Sequence, residues 1–153
     1  MNRKEINSLY VRRDMGEQHN RIDIYTDGAC SCNPGPAGIG IVLLYKDHKK
    51  KVSKFIGEST NNIAELEAIK LALKMIKPSH RETPIVIYTD SNYCVGLFTK
   101  DWSPKKNVEL IFDIKELLKK FKYVGFKWVK AHNGNSYNEL ADYLATKAIK
   151  ENR

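Results

Sequence analysis

The chain contains only three cysteines, Cys30, Cys32 and Cys94. That number suits a reducing compartment better than a disulfide framework. Cys30 and Cys32 form a C-x-C pair, but no second Cys or His cluster lies near them in sequence. A structural zinc site, which usually takes four ligands, is therefore not expected. No apolar run approaches the roughly 20 residues that a membrane span takes, and no internal repeat or low-complexity block is found. The opening "MNRKEINSLYVRRDMGEQHN" has no continuous apolar stretch, so it does not read as a secretory signal. Glu5, Asp14 and Glu17 argue against an amphipathic targeting segment. Acidic residues are the scarcer charge, 18 against 26 Lys and Arg, for a net charge of +8. An anionic partner is favoured, nucleic acid first, with no membrane involved. What remains is a chain of 153 residues, 42% hydrophobic and 29% charged. Such a chain can bury a sizeable core as one domain. We expect a cytoplasmic protein with an irregular tail at 1–20, a single domain at 21–150 and a short end at 151–153.

The order of elements follows from periodicity. "RIDIYTD" alternates as a strand. "AGIGIVLLYK" and "KKVSKFIGES" flank the polar turn "DHKK" and continue from it as an antiparallel pair. From Asn62 to Ile76 strong helix formers take over, and Pro78 stops them. "PIVIYTD" has the look of a buried parallel strand, and "SNYCVGLFTKDW" begins as a short helix. "NVELIFDIKELLKKF" is predicted helical, with Leu110, Ile114, Leu117 and Phe121 on one stripe. "YVGFKWVKA" is a strand, and "NELADYLATKAIKE" closes the chain as a helix. Three antiparallel strands followed by crossovers predict an α/β fold. Its mixed five-stranded sheet is completed by parallel strands and flanked by helices.

Four carboxylates stand where this architecture does not need them. Asp27 and Asp90 each end a strand, in "IYTDG" and "IYTDS". Either is a surface turn residue or, if the strands are neighbours, the two meet at one sheet edge. At 100° per residue Glu65 shares a narrow arc with Ile69, Ala72 and Ile76, at the expected first turn of its helix. A lone carboxylate facing a sheet is costly unless paired or metal-bound; the helix dipole offers the other relief. Asp142 borders the apolar side formed by Leu140, Ala141, Leu144, Ala145, Ala148 and Ile149. An all-carboxylate set suits hard cations such as Mg²⁺. Two such ions can activate a water and stabilise a leaving oxygen in phosphodiester hydrolysis. His132, in the polar loop "VKAHNGNS", is either a surface residue or a proton carrier beside that edge.

Taken together, "YTDGACSCNPGPAG", "STNNIAELEAI", "YTDSNYC" and "HNGNSYNELADYLA" resemble, in order, the motifs of type 1 ribonuclease H. The resemblance covers residues 21–150. It implies the ribonuclease H fold and endonucleolytic hydrolysis of the RNA strand of RNA–DNA hybrids, leaving 5′-phosphate and 3′-hydroxyl ends. It implies Asp27, Glu65, Asp90 and Asp142 as catalytic metal ligands. Two Mg²⁺ would bind with substrate, Mn²⁺ being a possible substitute, and His132 would assist proton transfer or product release. Asn33, Asn61, Asn62 and Asn92 would touch sugars and base edges across the minor groove. Short amides suit that role, because they both donate to and accept from 2′-hydroxyls. Thr60 and Asn107 would grip a phosphate of the DNA strand. Gly28, Gly35 and Gly38 would allow close backbone approach.

One departure from the family is plain. Well-studied bacterial members carry an extra helix and a basic loop after the third acidic strand, whereas here only residues 91–106 separate Asp90 from Asn107. Trp102, Lys100, Lys105 and Lys106 read as a reduced version of that protrusion. The tail is too short for the separate hybrid-binding domain of some relatives. The expected partner is the hybrid, with no obligate protein partner and a monomeric state. Two alternatives are a non-catalytic hybrid-binding module and another nuclease or integrase of the same fold.

Overall fold

The structure is a computed structural model that describes residues 20–131 and 136–152. Residues 1–19 of the expected tail lie outside this range, as do His132, its neighbours 133–135 and Arg153. The first three strands are β1 (Ile22–Cys30), β2 (Gly35–Tyr45) and β3 (His48–Ser59). Helix α1 (Asn61–Lys74), a short 3₁₀ turn (Pro78–His80) and β4 (Ile85–Thr89) follow. The chain continues through α2 (Asn92–Thr99), α3 (Val108–Leu118), β5 (Val124–Trp128) and α4 (Ser136–Glu151). The five-stranded sheet has the order β3-β2-β1-β4-β5. β1–β2 and β2–β3 pair antiparallel, while β1–β4 and β4–β5 pair parallel. This is the mixed sheet that the run of three strands and later crossovers predicts.

Strand alternation sorts the core into two layers. Ile22, Ile24, Ile41, Ile85, Ile87, Val124 and Phe126 face one way and meet Leu66, Ile69 and Leu73 of α1 and Ile111 and Ile114 of α3. On the opposite face Val42 packs against Ala141 and Leu144 of α4, with Tyr25 and Tyr137 at the margin. The stripe on α3 differs from expectation. Its buried residues are Ile111, Ile114 and Leu118. Leu110, Leu117 and Phe121 only flank the core. A seam one residue round leaves Phe112 and Val108 exposed.

The edge strand β3 carries exposed Lys49, Lys50, Lys51 and Lys54. Among the described residues, no helix is long and apolar enough to cross a membrane.

Candidate active site

The parallel register of β1 and β4 runs from Ile22↔Ile85 to Tyr25↔Tyr88. Two residues beyond the last pair, Asp27 and Asp90 therefore emerge side by side at the same end of the sheet. The rings of Tyr25 and Tyr88 lie two residues before each aspartate and stack with centroids 4.3 Å apart and planes 8° from parallel. That stack ties the two strands together just below the carboxylates.

Glu65 arrives from above. The first turn of α1 is capped by Thr60, whose Oγ1 accepts the Ile63 N–H at 3.2 Å. This corrects the expected position of Glu65: it lies beyond the first turn and plays no part in the cap. Its Oε1 instead accepts the backbone N–H of Gly28, which also donates to Asp27 Oδ1 at 3.0 Å. The approach is possible only because residue 28 has no side chain. A Cβ there would overlap the carbonyl carbon of Ala64 and the amide nitrogen of Glu65.

The result is a compact acidic cluster. Oxygens of Asp27, Glu65 and Asp90 all lie within 4.8 Å of one another, and Asp27 and Glu65 are buried. Burial pushes the Asp27 carboxyl far above the ordinary carboxylate range. The charges of Glu65 and Asp90 and a hydrogen bond with Asp142 push the same way. Glu65 rises too, to about 7. Burial is the main cause, with the Asp90 charge adding to it and the bonds to Asp27 and Gly28 opposing it. Unit charges about 5 Å apart repel by roughly 3 kcal/mol at an effective dielectric of 20. The cluster therefore holds protons unless a cation replaces them. Asp142, from α4, hydrogen-bonds Asp27 but is not among the three residues whose carboxylate oxygens converge. The donors are all carboxylate oxygens on a partly enclosed sheet end, and this set fits a hard divalent cation.

The expected substrate residues fall in two groups. In the turn after β1, exposed Asn33 accepts the Asn61 N–H through Oδ1 at 3.1 Å. That bond joins the turn to the start of α1, where Asn61 and Asn62 are exposed. Asn92 is exposed at the start of α2. The second group forms a cleft of about 280 Å³ lined by Asn62, Tyr93, Trp102, Lys105, Lys106 and Asn107 among others. Asn107 precedes α3 in the left-handed conformation, φ 57°, and its side chain makes no capping bond. Its amide is thus available to the cleft. The Trp102 ring lies against Gly96, where a Cβ would strike it, and Lys100 Nζ sits 5.8 Å from the ring centroid. Thr60 belongs to the cap beside this cleft, and its hydroxyl proton remains free to donate while Oγ1 accepts from Ile63.

Sequence reasoning missed two features. One is the support beneath the site, where Arg21 Nε bonds Asp23 Oδ1 at 3.0 Å and the Tyr88 hydroxyl donates to the same oxygen at 2.9 Å. The other is Trp128, whose indole N–H donates to the main-chain oxygen of Asp90 at 3.1 Å. The alternation Val124, Phe126, Trp128 was the available signal, because the third member falls where the core has run out.

Known proteins share the framework. A family model described as RNase H matches residues 19–150. A ribonuclease H of Caldanaerobacter subterraneus subsp. tengcongensis is 43% identical over 143 residues, covering 85% of this chain and 92% of that protein. The crystal structure of LC11-RNase H1, isolated from compost by a metagenomic approach, superposes with a TM-score of 0.75 at 31% identity. The match covers 87% of this chain and 98% of that one. The same compost enzyme in complex with an RNA/DNA hybrid matches with a TM-score of 0.74 at 29% identity, over 86% and 98% of the two chains. The fold and the acidic sheet end define a nuclease of the divalent-metal-dependent kind. The chain belongs to the ribonuclease H family.

Proposed function

We propose that this chain hydrolyses the RNA strand of RNA–DNA hybrids internally, by a two-ion mechanism that leaves 5′-phosphate and 3′-hydroxyl ends. The observation that carries the reading is the convergence of Asp27, Glu65 and Asp90 oxygens within 4.8 Å on a ribonuclease H framework. The hybrid seen bound to the compost relative supports the substrate. Asp27, Glu65, Asp90 and Asp142 would hold the ions, with Mg²⁺ as the physiological choice and Mn²⁺ as a substitute. Bound there, the ions supply a water activated at neutral pH and a counter-charge for the leaving oxygen.

The chain's own residues do the rest. The buried carboxylates release protons as the cations enter. Asn33, Asn61, Asn62 and Asn92 present amides to 2′-hydroxyls and base edges, which distinguish RNA from DNA. Thr60 donates its hydroxyl to a phosphate of the DNA strand, with the Asn107 amide beside it, and Lys105 and Lys106 supply charge along the same cleft. Water attacks phosphorus, the P–O3′ bond breaks, and the 3′-oxygen leaves as a hydroxyl. His132 would carry a proton in that step or help the product leave. We further propose that residues 21–150 form the catalytic unit, and that the protein acts as a cytoplasmic monomer without an obligate partner.

The test uses labelled RNA–DNA hybrid, RNA duplex, DNA duplex and single strands, each with Mg²⁺, with Mn²⁺ and with chelator. Internal cuts in the hybrid RNA alone, bearing 5′-phosphates and lost with chelator, are expected. Equal cutting of the DNA duplex would overturn the reading.

A further inference from the structure

Trp128 ends β5 level with Thr89, the last residue of β4. It continues the row of Val124 and Phe126, both buried in the main core, but is itself 44% exposed. A half-exposed tryptophan contributes little of the packing that usually explains one. Its indole N–H instead meets the main-chain oxygen of Asp90 at 3.1 Å.

The place of that bond matters. Ladder bonding between β4 and β5 ends with the Val129 N–H donating to Thr89 O at 2.9 Å. Immediately afterwards the chain turns into α2, where Ser91 Oγ accepts the Cys94 N–H at 3.1 Å as a cap. Asp90 is the single residue between the last ladder bond and that cap. It is also one of the three residues of the acidic cluster. Thr89 Oγ1 accepts the Ser91 N–H at 3.1 Å, so the main chain on both sides of Asp90 is fixed by local bonds. The Trp128 indole fixes its carbonyl.

We propose that Trp128 is a positioning residue for the metal site: its indole N–H holds the Asp90 main chain so that the Asp90 carboxylate stays aimed at Asp27 and Glu65. The inference rests on the functional reading above. Asp27 and Glu65 already share the Gly28 N–H, and Asp90 is aligned from the other side of the cluster.

Trp128→Phe keeps an apolar ring and removes the donor. Trp128→His restores an N–H, because imidazole Nε2 stands as many bonds from Cβ as indole Nε1 does. Mn²⁺ dissociation constants of the substrate-free protein are measured by electron paramagnetic resonance, beside melting temperatures and the Mg²⁺ concentration for half-maximal cleavage. Loss of one hydrogen bond predicts Mn²⁺ binding weaker by roughly 3- to 10-fold in Trp128→Phe. The melting temperature should stay near the parental value, and Trp128→His should recover most of the affinity. A Phe variant that binds Mn²⁺ as the parent does would overturn the proposal. So would equal weakening in both variants accompanied by a lowered melting temperature, which assigns Trp128 to packing alone. A parent that neither binds Mn²⁺ nor cuts hybrid would sink the functional reading itself, a distinct result.

Discussion

The Glu65 carboxylate accepts the main-chain N–H of Gly28, so a side chain from α1 is tied to the backbone of β1 beside Asp27. The proposed ligand Glu65 and the seating of α1 on β1 thus share this contact. Gly28→Ala would place a methyl against Ala64 and the Glu65 amide. Overpacking of that kind costs about 1–3 kcal/mol. Displacing a reacting group by about 1 Å can cost roughly 100-fold in rate. We expect a folded variant with a lower melting temperature and cleavage reduced on that scale. Thermal melts and single-turnover cleavage of hybrid check it.

Asp27→Asn should reduce Mg²⁺-dependent cleavage to the background of the chelated parent, because it removes one charge from a site built to hold cations. The same change relieves a buried carboxylate whose ionisation Glu65 and Asp90 oppose. Without metal the variant should thus be more stable at pH 7, by on the order of 1 kcal/mol. Parental cleavage by a folded Asp27→Asn protein would remove Asp27 from the ligand set.

The pH dependence of stability follows from the same shifts. Asp27 and Glu65 are both raised in the folded state, Glu65 to about 7. The folded protein then binds more protons than the unfolded chain above the ordinary carboxylate range. Its metal-free stability is fullest below about pH 4 with respect to these groups and declines as pH rises through about 7. Added Mg²⁺ displaces those protons, so its stabilising effect should grow with pH. Denaturant titrations at pH 5, 7 and 9, with and without Mg²⁺, measure this; a metal effect independent of pH would contradict it.

Lys100, Lys105 and Lys106 stand on the link beside the Trp102 cleft. Replacing all three with Ala should weaken hybrid binding and lower the slope of log affinity against log salt by up to about 3. Cleavage at saturating substrate should change little. Binding is measured in Ca²⁺ across a salt series. An unchanged slope would shift the contact to other lysines, those of β3 first.

The strand order and helix sequence were legible because each element has one dominant period, and Pro78 and the polar turns punctuate them. Glu65 was legible because a carboxylate on an apolar stripe breaks its helix's pattern; Asp27 and Asp90 showed only as strand ends, with a turn role open, until the resemblance to ribonuclease H joined them to it. The seam of α3 was misread by one residue, because Leu110, Ile111, Ile114, Leu117 and Leu118 offer two overlapping stripes and only the neighbouring helix chooses between them. The Glu65–Gly28 contact and the Trp128–Asp90 bond could not be read at all. Both join main chain to side chain across distant segments, and hydrophobic pattern carries no record of such bonds.

The bond between Asn33 and Asn61 has a consequence for what the protein can tell apart. A backbone N–H faces only an acceptor, so the Asn33 oxygen is committed to Asn61 at 3.1 Å. The bond fixes which way round the amide lies and leaves its N–H₂ group to donate, with one oxygen lone pair still open. In the minor groove every base pair, whatever its identity, presents acceptors at purine N3 and pyrimidine O2. In the proposed complex a donor held there finds an acceptor at each step along the duplex, and only the guanine N2 amino group sets one kind of pair apart from the other. Breadth of sequence acceptance would then be a property of this turn's wiring, set before any substrate arrives.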